Sequence, residues 1–343
     1  MTYSKEVSPE TIALHADSII IDGCSFFCEG YNDSLEASGL TVLNLTVPHP
    51  SDDVENAVKR IADYYHVIRQ EPKFRLIETV DDIYQAKQAG QTGLMIGFQN
   101  SRPMSHYYIG AMVEAFYRLG ARVCIMAYND RNFAADGCVA GTNSGLSREG
   151  QELVEEMNRV GIVIDLSHTG ERSSLETIEL SEKPCVFTHS NPFKLSQQKR
   201  NITDEQIRKI AEKGGVIGLT PYPPLNWNGG KVVPTLDDFL DSIEYIVNLV
   251  GPDHAAIGTD KEATPGAYPR DLILRELENL PRSVGDYYNN FAGNPEAVNL
   301  EGFPGLAFFP LITQGLVDRG FDDDSIRKIL GLNFLRVFKA VWK

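Results

Sequence analysis

The sequence predicts an α/β protein built as a (β/α)8 TIM barrel. Three observations predict it. Short, continuous, β-branched apolar runs recur about eight times along the 343 residues. Segments with helical apolar spacing separate them. No linker, internal repeat or low-complexity tract divides the chain, so 1–343 reads as a single domain with an irregular region from about 265. Continuous rather than alternating apolar runs are what parallel strands buried on both faces require. In such a barrel, chemistry belongs at the C-terminal ends of the strands.

The strand-like runs are Ser18–Asp22 (SIIID), Leu40–Val47 (LTVLNLTV), Gly93–Phe98 (GLMIGF), Ala121–Ala127 (ARVCIMA), Gly161–Leu166 (GIVIDL), Pro184–Phe187, Gly214–Leu219 (GGVIGL) and His254–Gly258. Between them, Asp52–Gln70 carries Val54, Val58, Ile61, Tyr65 and Ile68 at helical spacing. Helices are also expected over Ile109–Leu119, Gln151–Arg159, Ser173–Leu180 and Asp237–Val250. Thr203-Asp-Glu-Gln206 reads as a capping box opening a helix to Lys213. Gly93, Gly120, Gly161 and Gly214-Gly215 precede strands, as helix C-caps do. Toward the C-terminus, Tyr287–Gly305 reads as a long loop, followed by helices over Leu306–Gly315, Asp324–Leu330 and Phe334–Trp342.

Bulk composition narrows the function. Hydrophobic residues make up 42% and charged residues 23%, an ordinary globular balance. A net charge of −15 argues against nucleic-acid and anionic-membrane partners. No apolar run is long enough to span a bilayer, and the N-terminus lacks a basic start followed by an apolar stretch. The five scattered cysteines, with no C-x-x-C, read as reduced thiols in a cytoplasmic protein.

The expected strand ends carry polar groups that a barrel would gather into one pocket. Cys24, Ser25 and Phe26 follow the first strand, Gln99 and Asn100 the third, and Tyr128 and Asn129 the fourth. His168 follows the fifth, His189 and Ser190 the sixth, and Asp260, Lys261 and Glu262 the last. His168 and His189 are candidate catalytic groups and metal ligands. Zinc usually takes three protein ligands plus water. Cys24 is a candidate third ligand, or simply a small buried hydrophobe. Asp260 suits a metal or a general base. Arg200 suits a bidentate clamp on a substrate carboxylate, or a surface ion pair. Tyr128 and Asn129 are candidate substrate contacts. Tyr222, Pro223, Pro224 and Trp227 are candidate aromatic walls, and Phe26 and Phe98 an apolar floor.

Several motifs resemble the membrane (renal) dipeptidase family. They are VIDLSHTG (Val163–Gly170), FTHSN (Phe187–Asn191), RNITDEQIRKIAEKGGVIGL (Arg200–Leu219), YNDRNFAADGC (Tyr128–Cys138), AIGTD (Ala256–Asp260) and ILGLNFLRVFKAV near the C-terminus. The resemblance implies a barrel of the metal-dependent hydrolase type that cuts dipeptides at a binuclear zinc centre. It places His168 and His189 at ligand positions, Asp260 at the proton-handling position and Arg200 at the carboxylate clamp. Other positions depart from the pattern. Where the family has D-G-H-x-D, this chain reads Asp22-Gly23-Cys24-Ser25-Phe26, and Gln99 stands where a bridging glutamate is expected. Ala140 and Gly141, not a glutamate, follow Cys138.

Cys24, Phe26 and Gln99 therefore leave the site short of two negative charges, which predicts at most one zinc, or none, and weak ordinary dipeptidase activity. Three readings stand open. One is a one-metal hydrolase of a small carboxylate-bearing, peptide-like or amide substrate. The second is a metal-free lyase, isomerase or hydrolase using His168, His189 and Asp260 as acid and base, with Cys24 a candidate nucleophile. The third is a non-catalytic binding relative. The resemblance also raises a homodimer, since such relatives are often dimers.

Overall fold

The structure, a computed structural model, describes residues 6–105, 108–267, 282–291 and 294–343. Its centre is one parallel sheet. The strands are β1 (Ile21–Phe26), β2 (Val42–Thr46), β3 (Phe74–Leu76), β4 (Thr92–Phe98), β5 (Ala121–Ile125), β6 (Val163–Asp165), β7 (Val186–Phe187), β8 (Val216–Leu219), β9 (Ala255–Ile257) and β10 (Lys261–Glu262). They run in the order β10-β1-β2-β4-β5-β6-β7-β8-β9, with β3 added beside β4. The two ends of this order are one stretch of chain, because β10 follows β9 after residues 258–260. The sheet thus closes on itself: Asp260 N–H donates to Cys24 O at 2.8 Å and Ala263 N–H to Phe26 O at 2.8 Å. With β3 set aside and β9 and β10 counted once, the 10-stranded sheet is the expected eight-stranded barrel.

Both faces of the strands are buried, which is why their sequences run continuously apolar. Ile21, Val42, Met95, Val123, Val163, Val186, Val216 and Ala256, one from each barrel strand, pack with Phe334, Leu335 and Phe338 of the C-terminal helix Asn333–Val341. Leu43, Leu94, Cys124, Ile164, Phe187, Ile217 and Ile257 join the second, larger core with the surrounding helices. The C-terminal helix fills one end of the barrel, so the strand C-termini form the end open to ligands.

The helices follow local chemistry. Thr203 and Gln206 form the expected capping box, here opening the helix Asp204–Glu212 with Lys213 as its C-cap. The helix Arg148–Val160 starts on Ser147 and stops at Gly161, whose φ of 99° suits glycine.

Several expectations need correction. The first strand is Ile21–Phe26 rather than Ser18–Asp22, so Cys24, Ser25 and Phe26 lie within it, not beyond it. Gly93 belongs to β4, and Gly90 caps the preceding helix Val80–Ala89, which spacing did not reveal. Val58 is 42% exposed, while Ala57 and Ile61 carry the buried face of the helix Val54–Gln70. Residues 282–290 are helical and Pro295–Val298 form a 3-10 turn, where a loop was expected from Tyr287. Part of the irregular region expected from about 265, residues 268–281 and 292–293, lies outside the described residues.

Candidate active site

The open end of the barrel holds a cavity of about 370 Å3 lined by Phe26, Phe27, Thr46, Gln99, Tyr128, Asn129, His168, Arg200, Tyr222, Asp260 and Tyr288, among others. Among the described residues, four that are not glycine have positive φ: Phe27 (46°), Asn129 (59°), His168 (62°) and Asp260 (53°). All four line this cavity. Left-handed backbone at such residues is uncommon and clusters at functional sites.

On the β6–β7 side, two imidazoles meet. His168 Nε2 lies 3.0 Å from His189 Nε2. His168 Nδ1 is 2.8 Å from Asn129 Oδ1, and its ring stacks on Tyr128 at 3.9 Å between centroids. His189 Nδ1 is 2.8 Å from Thr188 Oγ1, which donates to Asp165 Oδ2. Asp165 Oδ1 also accepts from the N–H of Ser167 (2.9 Å) and of Thr188 (3.0 Å). The Thr188 carbonyl oxygen sits against three glycines: a Cβ at Gly258, Gly218 or Gly23 would fall 1.8, 2.0 or 2.9 Å from it. Those positions must stay bare for the backbone that carries His189 to lie where it does.

The β9–β1 side is built alike. Asp22 Oδ1 accepts from Thr259 N–H at 2.7 Å and from Cys24 N–H at 3.2 Å, and Oδ2 accepts from Thr259 Oγ1 at 2.5 Å. The pairing of β1 with β2 slips between Asp22 and Ser25. That bulge re-aims the strand at Gly23-Cys24. Cys24 Sγ donates to Asp260 Oδ1 at 3.6 Å and accepts from Gln99 Nε2 at 3.1 Å. Gln99 Nε2 also donates to Thr46 Oγ1 at 2.7 Å.

Cys24, His189 and Asp260 each bring one donor atom within 4.8 Å of the others. The sequence-derived candidates therefore converge, with His168 joined to this trio through His189. Arg200 is only 5% exposed, so the surface ion pair is excluded. Its guanidinium donates to His189 O at 3.1 Å and Ser190 Oγ at 3.5 Å, and among the described residues no carboxylate pairs with it. Arg200 and His168 also border a second cavity of about 290 Å3.

Burial governs the charges. It pulls His168 and His189 well below the ordinary imidazole range, and the Arg200 charge adds to the shift. It pushes the Cys24 thiol well up, reinforced by the nearby carboxylates of Asp260, Asp22 and Asp165. It raises Asp22 to about 7 against the hydrogen bonds from Thr259 and Cys24 that lower it.

Of the expected aromatic walls, Tyr222 lines the cavity and shares a 2.7 Å hydroxyl contact with Tyr288. Pro223, Pro224 and Trp227 do not line it, and Trp227 packs on Tyr287 instead. Phe98 is no pocket floor: it is buried edge-on against Phe116. Sequence reasoning missed Asp22, Asp165, Thr188 and Thr259. The available signal was an aspartate ending each of two apolar runs, SIIID and GIVID, where a carboxylate has no place unless neighbours satisfy it.

Comparison with known proteins places this arrangement among relatives. The profile of the family described as membrane dipeptidase (peptidase family M19) matches residues 22–272. The crystal structure of an amidohydrolase from Pseudomonas aeruginosa is 34% identical, with a TM-score of 0.84, covering 97% of this chain and 99% of that one. The dipeptidase tcpJ of Claviceps purpurea is 23% identical over 78% of this chain. The dipeptidase verJ of Clonostachys rogersoniana is 26% identical over 81%. The chain spans 56% and 63% of the length of those two relatives.

Proposed function

The chain belongs to the membrane dipeptidase family, and from that premise we propose a hydrolase of small carboxylate-bearing, peptide-like or amide substrates that works with one zinc rather than two. The observation that carries this reading is the pairing of the two histidines. Thr188 gives its hydroxyl proton to Asp165, so at His189 Nδ1 it accepts, and His189 bears its proton there. Asn129 turns a carbonyl oxygen to His168 Nδ1, which therefore bears a proton too. Both Nε2 lone pairs then face each other at 3.0 Å. Lone pairs held so close repel unless a cation lies beside them, and Nδ1–H anchored by an acceptor is how metal-ligating histidines are oriented.

The donors nearby fit one zinc. His189 supplies an imidazole, and Cys24 and Asp260 supply two anionic donors that offset a dication's charge, with His168 Nε2 beside that trio, 3.0 Å from His189 Nε2. Among the described residues, the donors do not fit a second metal. Phe26 has no lone pair, and Gln99 turns its amide NH2 toward Cys24 and Thr46. When bound, zinc supplies a Lewis acid that polarises water or a carbonyl. The chain's own groups do the rest. Arg200, buried and without a carboxylate partner among the described residues, binds the substrate's carboxylate. Asp260 takes and returns the proton at its carboxylate. Tyr128 holds the His168 ring by stacking.

One observation favours a metal-free reading: the Cys24 thiol already has both a donor and an acceptor. In that reading His168, His189 and Asp260 act as acid and base. Burial and three carboxylates hold the Cys24 thiol protonated, so it is a poor nucleophile without a cation. Zinc per chain, measured alongside hydrolysis of dipeptides and N-acyl amino acids, decides between the two. One zinc with chelator-sensitive hydrolysis supports the first reading. Chelator-resistant turnover that is lost in His168→Ala supports the second.

A further inference from the structure

We propose that Asp165 and Thr188 are positioning residues that hold His189 in its Nδ1–H form, aiming the Nε2 lone pair at the site. This rests on the reading above only in taking Nε2 as the working atom. The chain of contacts is continuous. Asp165 sits at the end of β6, fully buried, and accepts from three directions: Ser167 N–H, Thr188 N–H and the Thr188 hydroxyl. A hydroxyl has one proton. With that proton on Asp165, Thr188 Oγ1 offers His189 Nδ1 only a lone pair, 2.8 Å away. The imidazole answers with its single proton at Nδ1, leaving Nε2 bare.

A comparison within the molecule shows that this is more than a strand clip. Asp22 grips Thr259 by the same two bonds, backbone N–H and hydroxyl. There the threonine hydroxyl lies next to a backbone carbonyl, Cys24 O at 3.5 Å, and among the described residues reaches no site side chain beyond Asp22. Only Thr188 passes the carboxylate's orientation on to a ring. Backbone packing already fixes where His189 stands, through the bare glycines around Thr188 O and the His189 N–H bond to Ser167 Oγ at 3.0 Å. The hydroxyl is left to decide which nitrogen carries the proton.

The test uses 15N-imidazole-labelled full-length protein, stripped of metal, and reads the His189 tautomer from long-range 1H–15N correlations. Wild type and Thr188→Ser should show Nδ1–H, and Thr188→Val a mixed or Nε2–H ring. Asp165→Asn can donate its amide to the Thr188 hydroxyl. The hydroxyl then turns its own proton to Nδ1, and Nε2–H should dominate. That second variant decides the matter if Thr188→Val does not fold. Zinc affinity, by competition with a chromophoric chelator, should fall about 10–100-fold in Thr188→Val and recover in Thr188→Ser. An Nε2–H ring in wild type, or an unchanged tautomer and affinity in Thr188→Val, would overturn the proposal. Wild type that binds no zinc would sink the one-metal reading, and the tautomer spectrum would still decide this one.

Discussion

The two sides of the pocket are framed alike and furnished differently. At β6–β7, Asp165 grips Thr188, and the next residue is His189. At β1–β9, Asp22 grips Thr259, and the next residue is Asp260. The first side presents two imidazoles whose outer nitrogens are tied to Thr188 and Asn129. The second, joined by the end of β4 from across β2, presents Cys24, Phe26 and Gln99, one thiol, one hydrocarbon ring and one neutral amide. The frame depends on backbone and buried carboxylates, the chemistry on the side chains it displays. One can therefore change while the other stays.

Three measurements would break or sharpen that contrast, and a fourth sets it against a buried group elsewhere. The largest effect is expected at Asp260, the acid the second side retains: Asp260→Asn should lower kcat by roughly 10²–10⁴-fold, the range for a lost general acid–base group. A smaller loss would mean that the imidazole side handles the proton alone. Next comes Arg200, whose guanidinium rests on the His189 carbonyl. Losing a charge-assisted hydrogen bond of about 1.5–3 kcal/mol should raise KM of Arg200→Lys by roughly 10–100-fold with kcat less affected. An unchanged KM would remove Arg200 from substrate binding.

A smaller but more diagnostic change is refurnishing the second side. On the one-zinc reading proposed above, the triple variant Cys24→His, Phe26→Asp, Gln99→Glu should raise bound zinc from one per chain to two. A count that stays at one in a folded variant would show that the frame itself, and not those three side chains, limits the site. The smallest effect lies on neither side. His15 is buried, with Nε2 2.9 Å from Ser38 O and Nδ1 2.7 Å from Thr313 Oγ1, and burial pulls its pKa below 6.5. The unfolded chain binds a proton there that the fold rejects. This group's stabilisation is present above 6.5 and is lost as pH falls below it. Tm measured from about pH 7 to 5 should therefore fall less steeply in His15→Gln than in wild type. Equal slopes would assign the acid loss elsewhere, including to the pocket.

Much of this was legible in the residues. GLMIGF, ARVCIMA and GIVIDL could only be strands buried on both faces, and their alternation with helices left the closed barrel as the simplest arrangement. The motifs around His168 and His189 marked one half of the site, and Cys24, Phe26 and Gln99, read as departures from the pattern the chain resembles, marked the other. Less was legible where few residues decide. The pair Lys261-Glu262 is a strand only because it continues β9 and closes the sheet on β1. The helix Asp33–Ser38 owes its start to the Asn32 side chain, too short a signal to stand out. Phe98 and Trp227 look alike in sequence to pocket aromatics, yet both turn toward other packing.

By itself the sequence determined the barrel, the order of its strands and the identity of the side chains at its open end. Apolar periodicity and residue type are local properties, written along the chain. Only the tertiary structure decided that Cys24 faces Asp260 across the closure of the sheet, 236 positions away. It alone decided that Thr188 stands between Asp165 and His189, and that two Nε2 atoms meet at 3.0 Å. Hydrogen bonds have direction and short reach, so which partner a side chain finds is settled by where the barrel brings its strands together.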